Sequence, residues 1–410
     1  VEACELKIDL LCQGLRIDPS AAVERDGRPI ARTRAGLGSG LELVLHGRRK
    51  SFWVNAPVVE PFAARSPWLL VKEGDHYFIE GCGDEHPVLV PEAPAWYDAR
   101  TSAGTPMSRI GVLQGTYLAI YLEKACAFWR AEPSLQCRFC TTGLNVGAAE
   151  QAEKSVEDVV ETALAAKAES GVTFVHLNSG FQGERDVDAA GPFVKALKER
   201  VGVLVGLQMA PSRHSWKYDW LRDLGVDHFS FCPEFRSPEY FARLLPGKQK
   251  VFGPWTFWGA IGYTARLLGP GRVSGEIIAG VEPLDETLRA IDEIVDVGAF
   301  PTVCIFRPLV GSMMADHPPP RPHEMRVVFR HVAEACRRAG LPVGIAPNVE
   351  VSIVVTPDDA LDLLSPRELG TWAYRAKLGL ARAVARPLLA RSLRPHAVAA
   401  SDEPPRHAPD

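Results

Sequence analysis

Between residues 41 and 90 the chain alternates short apolar runs of β type (LELVLHG, SFWVNA, WLLVKEG, HYFIEG) with Gly, Pro and charged turns. That pattern predicts a small antiparallel unit. Pro91, Pro94 and the stretch TSAGTP at 101–106 break the periodicity and predict a boundary. From 111 to about 355 apolar runs of strand length alternate with longer helical patterns, the βα rhythm of a parallel sheet or barrel. Predicted strands open at Leu113, Thr173, Val201, Asp227, Arg272, Thr302 and Pro342, and seven of them fit an open barrel better than a closed eightfold one. The clearest predicted helix starts at Ser155, has Asp158 three residues on, and stops at Gly171. Segments 283–298 and 322–340 repeat that design. After Pro366 a basic, Ala-rich helix is expected, kinked or broken at Pro387, and the chain from Pro395 has the composition of a disordered tail. The expected units are thus 1–104, β-rich; 105–365, the βα barrel; 366–394, a C-terminal helix; and 395–410, the tail.

Composition narrows the classes of function. With 46% hydrophobic and 23% charged residues in 410, the chain is neither a disordered polymer nor a membrane protein. A net charge of -4 supplies no basic face for nucleic acid, so small-molecule or protein substrates are expected. The first residues place acids ahead of a short apolar run without a small-residue cleavage site, which is unlike a secretory leader. Nine cysteines, an odd number, then read as reduced thiols in the cytoplasm rather than as a disulfide framework.

Three of those thiols crowd one segment, KACAFWRAEPSLQCRFCTTGLN, directly after the first predicted barrel strand. Ten residues separate Cys126 from Cys137, and two separate Cys137 from Cys140. Soft thiolates select zinc or an iron–sulfur cluster, and a structural zinc would need a fourth Cys or His near by. Three cysteines on a four-iron cluster leave one iron open to bind a substrate.

On these residues the chain resembles the radical S-adenosylmethionine superfamily, over roughly 108–355. The resemblance implies a biotin-synthase-like partial (βα)6 barrel in the α/β class, with a 4Fe-4S cluster on Cys126, Cys137 and Cys140, and Phe139 as the aromatic before the last cysteine. Most members have three residues in the first gap where this chain has ten. The second strand ends in LNSGFQGE, so Asn178, Ser179 and Gly180 stand where the family holds the methionine amino group, although the usual Gly-Gly-Glu is absent. The fourth strand, FCPEF, resembles strands that end in an inward glutamate, here Glu234. In the fifth, Ile278 and Gly280 keep the family's Ile-x-Gly, while Glu276 replaces the preceding glycine. The sixth, FRPLVGSMM, resembles the strand after which biotin-synthase-like chains turn.

Further candidates follow from position. Cys232 and Cys304 on inner strands are candidates for hydrogen transfer or a second cluster, or are small hydrophobes. Glu234 and Arg307 are charges within apolar strands, where each should pair or face a polar pocket. Arg213 and His214 follow the third strand and could recognise a carboxylate, and Met209 could touch adenine or pack. Phe128 and Trp129 could cover the cluster. Cys4, Cys12, Cys82 and Cys336 have no informative spacing. The expected protein is an enzyme that cleaves S-adenosylmethionine reductively and abstracts hydrogen from a small molecule, fed by an external donor such as flavodoxin or ferredoxin, with no nucleic-acid or membrane partner. Two alternatives stay open: a non-catalytic zinc or iron–sulfur scaffold, and a βα-barrel lyase or hydrolase using Glu234 and a histidine.

Overall fold

Seven predicted strands of the barrel become six parallel ones in the computed structural model, which describes residues 1–21, 24–25, 28–29, 32–34, 38–183, 187–365, 367–368 and 370–405. They are β1 (Tyr117–Tyr121), β2 (Phe174–Asn178), β3 (Leu204–Gln208), β4 (His228–Glu234), β5 (Val273–Ala279) and β6 (Phe300–Ile305). Each pairs with the next in chain order, all parallel, so every crossover carries the chain back along the outside of one curved sheet. This is the partial (βα)6 barrel of the α/β class that the sequence predicts.

Two expectations are corrected here. The run from Leu113 is a hairpin, with Val112–Gln114 antiparallel to β1. Gly115 makes its turn at φ +78°, and a β-carbon there would meet the Glu350 carbonyl oxygen at 2.2 Å. The run from Pro342 is not a strand. Gly344 and Asn348 take positive φ values of 62° and 53°, and the segment passes beneath the N-terminal ends of β1 and β2. There the Thr116 hydroxyl donates to the Asn348 carbonyl and the Thr173 hydroxyl to the Pro347 carbonyl. Side-chain and turn hydrogen bonds replace a ladder, so the segment closes the floor of the barrel as irregular chain.

The outer helices form where the pattern places them. Val156–Ser170 opens on a full capping box, Ser155 with Asp158, and ends at Gly171 in the left-handed region. Leu284–Asp296 and Pro322–Ala339 also form, without a side-chain cap at either start, and the second ends at Gly340 in the left-handed region. The C-terminal helix Thr371–Ser392 runs unbroken through Pro387, contrary to the predicted break. Pro387 removes the hydrogen bond to the Ala383 carbonyl, but Ala383 is exposed and water can take its place. Where composition predicts a disordered tail, residues 395–405 lie against the barrel: Trp220 Nε1 donates to the Ser401 carbonyl and Lys195 Nζ to that of Ala400. Among the described residues no helix is long and apolar enough to cross a membrane.

The N-terminal unit is antiparallel over Gly38–His46, Ser51–Pro57, Leu69–Glu73, His76–Gly81 and Asp84–Leu89, as predicted. Ahead of it stands a helix the pattern did not disclose, Ala3–Gln13, in which Lys7 and Asp9 are buried alongside Leu6, Ile8 and Leu10. Burial on every side erases the amphipathic stripe that would have announced it. Lys7 Nζ reaches Asp359 at 2.9 Å and Lys50 Nζ reaches the other oxygen of that carboxylate at 2.6 Å. Burial would raise the Asp359 pKa, but the two ammonium groups outweigh it and hold it down at about 2. This network ties the N-terminal unit to the chain beyond the barrel.

Candidate active site

The ten-residue gap between the first two cysteines has a structural explanation. Cys126 caps a short helix, Ala127–Ala131, which a 3-10 turn, Pro133–Leu135, follows, and together they bring the chain back so that Cys137 and Cys140 reach the same cavity. The Phe128 ring stacks on Phe181 at 4.7 Å, and Trp129 lies over Gly143, where a β-carbon would sit 1.6 Å from Nε1. Packing thus anchors both aromatics of the gap. Phe139 meets Phe235 edge-on at 6.1 Å.

The adjoining wall comes from the end of β2. Gly180 N–H donates to the Tyr121 hydroxyl at 2.9 Å, Ser179 Oγ to Glu123 at 2.8 Å, and Ala127 N–H to the Phe181 carbonyl at 2.6 Å. The segment after β2 is therefore bonded directly to the cysteine loop. Asn178, Ser179 and Gly180 line one cavity of about 1150 Å³ with the three cysteines, and Phe139, Glu234 and Ile278 border it too. Gly280 serves differently. At φ +92° it makes the turn after β5, and a β-carbon would strike Pro320 at 2.3 Å.

Glu234 sits where β4 loses register. Pro233 has no N–H for the ladder, the pairing with β5 shifts between Phe231 and Glu234, and Glu234 takes φ +64°. Its carboxylate pairs with Lys248 Nζ at 2.9 Å, and the same ammonium donates to the Cys232 carbonyl at 2.9 Å. Burial raises the Glu234 pKa against the pull of Lys248. Lys248, on the helix Pro246–Val251, escaped the sequence reading because it opens the polar run Lys-Gln-Lys, in which nothing local separates it from the exposed Lys250.

Other candidates separate from the cavity's centre. Arg307 borders the cavity, but it is engaged by Glu60 of the N-terminal unit, at 2.6 Å from Nε and 2.8 Å from Nη2, and Glu60 is 3% exposed. Arg213 and His214 lie exposed beyond β3, and Arg213 donates to the Val251 carbonyl. Met209 is buried. Cys232 and Cys304 both face the cavity. Sequence reasoning missed a polar set deeper in the barrel, Gln208, Ser230 and Glu276, together with His176 and His228. For Ser230, Glu276, His176 and His228 the signal was alternation, since each lies an even number of residues from Cys232, Glu234, Ile278 or Asn178 on its own strand, whereas Gln208 adjoins Met209 and had no such signal.

Burial raises the thiol pKa of Cys137, and it pushes that of Cys140 up to about 12 against a backbone N–H bond from Thr142. Cys137 also feels the charges of Cys140 and Cys126, and Cys140 that of Cys126. Among the described residues no three His, Cys, Asp or Glu side chains gather around a single ion. The donor set is three soft sulfurs on one wall, one of them bonded by a backbone amide, and it fits an iron–sulfur cluster; loading would release the thiol protons.

No family model matches the chain. Over 256 residues, 56% of its length, it is 25% identical to the bacteriochlorophyllide c C-7(1)-hydroxylase of Chlorobaculum limnaeum, and the match spans 62% of that relative. Solved structures with similarity include methylornithine synthase (PylB), at 16% identity and TM-score 0.42 over 64% of this chain and 81% of that one. A radical SAM methyltransferase from Sphaerobacter thermophilus gives 12% identity and TM-score 0.42 over 66% and 75%. The cysteine loop at the C-terminal end of β1 and the six parallel strands in chain order give the chain the partial (βα)6 barrel expected from its sequence.

Proposed function

We propose that this chain cleaves S-adenosylmethionine reductively and uses the resulting radical to abstract hydrogen from an organic small molecule seated in the barrel. The observation that carries the reading is the convergence of Cys126, Cys137 and Cys140 on the cavity that Asn178, Ser179 and Gly180 also border. The three cysteines would hold a 4Fe-4S cluster. When bound, that cluster supplies one electron to the sulfonium of S-adenosylmethionine, yielding methionine and a 5′-deoxyadenosyl radical.

The chain's own residues position and exclude. Asn178 and the segment to Gly180 offer polar groups for the methionine portion, and Ile278 offers an apolar surface for the adenosyl portion. Glu234 and Lys248 neutralise one another beside the cluster loop. The aromatic layer of Phe128, Phe139, Phe181 and Phe235 keeps water from the loop, which suits radical chemistry that solvent would quench. An external one-electron donor completes the cycle. The test is anaerobic reconstitution followed by S-adenosylmethionine and dithionite. 5′-Deoxyadenosine and methionine are expected from the native chain and not from Cys126→Ala; equal product from both would overturn the reading.

A further inference from the structure

Two residues deeper along β5 than Ile278, roughly 6.6 Å down the strand, Glu276 borders the same cavity. Its Oε1 accepts from Ser230 Oγ at 2.7 Å and its Oε2 from Gln208 Nε2 at 2.6 Å, with Cys232 Sγ 3.6 Å from Oε2. All three partners are neutral. The other acids bordering this cavity have cations of their own: Glu234 with Lys248, Asp227 with Lys198, Glu350 with Lys50, and Asp358 with Lys50 and Arg382. Among the described residues no ion pair includes Glu276.

The carboxylate is held in place from below. Ser274 Oγ donates to Ser230 Oγ at 2.9 Å and lies 3.3 Å from His228 Nε2, and His228 Nδ1 is anchored on the Arg272 carbonyl at 3.0 Å. With Nδ1 donating to that carbonyl, Nε2 is an acceptor. Ser274 gives its one proton to Ser230 and Ser230 its own to Glu276, a line of hydrogen bonds that fixes the direction of the carboxylate, while neutral His228 packs beside Ser274 with no proton between them. An inward carboxylate without a cation is costly to fold. Gln208, Ser230 and Ser274 are ordered to keep this one, which suits a ligand that brings the positive charge. Below it the wall is aromatic: Phe174 and His228 meet edge-on at 6.1 Å, and His228 stacks on Phe300 at 5.5 Å. Such faces accept an apolar body or a cation.

We propose that Glu276 is the binding group for a cationic nitrogen of the substrate, so that the substrate class is an organic amine with an apolar or aromatic body. This deepens the function proposed above and rests on it for calling the ligand a substrate; the amine site itself stands on the geometry of Glu276.

The test uses the reconstituted full chain and matched probes at neutral pH: benzylamine with benzyl alcohol, 2-phenylethylamine with 2-phenylethanol, and hexylamine with hexanol. Calorimetric titration should find at least one amine bound about tenfold or more tighter than its alcohol, the scale of one charge-assisted hydrogen bond. Glu276→Gln, which keeps the shape and an acceptor for Ser230, should cut that preference to about twofold or less, and Glu276→Asp should restore part of it. A merely structural glutamate would change melting and leave the preference intact. No amine preference in the native chain, or a preference that survives Glu276→Gln, overturns the proposal, and the native comparison decides even if a variant fails to fold. 5′-Deoxyadenosine is measured on the same samples. Amine preference without it would sink the radical reading alone; product without preference would sink the amine site alone.

Discussion

Gly180 and Cys126 are in backbone contact distance: a β-carbon on Gly180 would stand 2.5 Å from Cβ of Cys126 and 2.8 Å from the Tyr121 hydroxyl. The end of β2 and the first of the three cysteines can approach this closely only because residue 180 has no side chain. Gly180→Ala should displace the cysteine loop at a cost of roughly 1–3 kcal/mol. Iron content after reconstitution should fall by more than half while the far-ultraviolet dichroism stays native. Full iron loading in that variant would show that the loop yields without consequence.

Single replacements of Cys126, Cys137 or Cys140 by alanine should each abolish retained iron and 5′-deoxyadenosine formation. Cys336, fully buried on the outer helix Pro322–Ala339, is the internal control. Cys336→Ala should lose on the order of 1 kcal/mol of stability and keep its iron. Iron analysis and visible absorbance on the four proteins decide the matter.

Arg307 joins β6 to the N-terminal unit through Glu60. Arg307→Ala would leave the Glu60 carboxylate buried without a cation, a loss of about 3–5 kcal/mol. Removing both charges, as Glu60→Gln with Arg307→Met, should recover much of it. Denaturant unfolding of the single and double variants provides the comparison, and a single variant as stable as the native chain would show that the pair contributes little.

His228 is held neutral. Burial, its largest influence, lowers the ring pKa to about 4 from an ordinary value of 6.5. The unfolded chain binds this proton more readily, so the contribution is fully present above pH 6.5 and is lost as pH falls through 6.5 toward 4. The ring borders the cavity, which makes about 3 kcal/mol an upper bound. Melting temperatures between pH 7 and pH 4.5 should fall less steeply for His228→Phe than for the native chain. Parallel curves would remove His228 as the cause.

Much of the barrel was legible because strand and helix periods differ and Gly or Pro separates them. Ser155, Asp158 and Gly171 mark their helix as fully in the sequence as in the fold. The cysteines and the strand-end residues Asn178 to Gly180 were legible through their order along the chain. What stayed hidden depended on distant partners. Arg307 reads as a charge awaiting a ligand until Glu60, 247 residues away, is seen beside it. Pro342 opens a run of strand-like composition, but the ladder it would join is absent there, and Thr116 and Thr173 take its carbonyls instead. Glu276 was noticed only as a glycine's replacement; its importance comes from Ser230 and Gln208 on the two preceding strands.

The bond between Lys7 and Asp359 closes a loop of 352 residues, and that span has a consequence at the ribosome. At roughly 5–20 residues per second, on the order of 20–70 s pass between synthesis of the two residues. Throughout that interval the first helix carries an ammonium group destined for burial with no counter-ion yet made. The N-terminal unit must wait, incompletely docked, for nearly the whole barrel to emerge, so a helix translated ahead of the barrel is secured only after it.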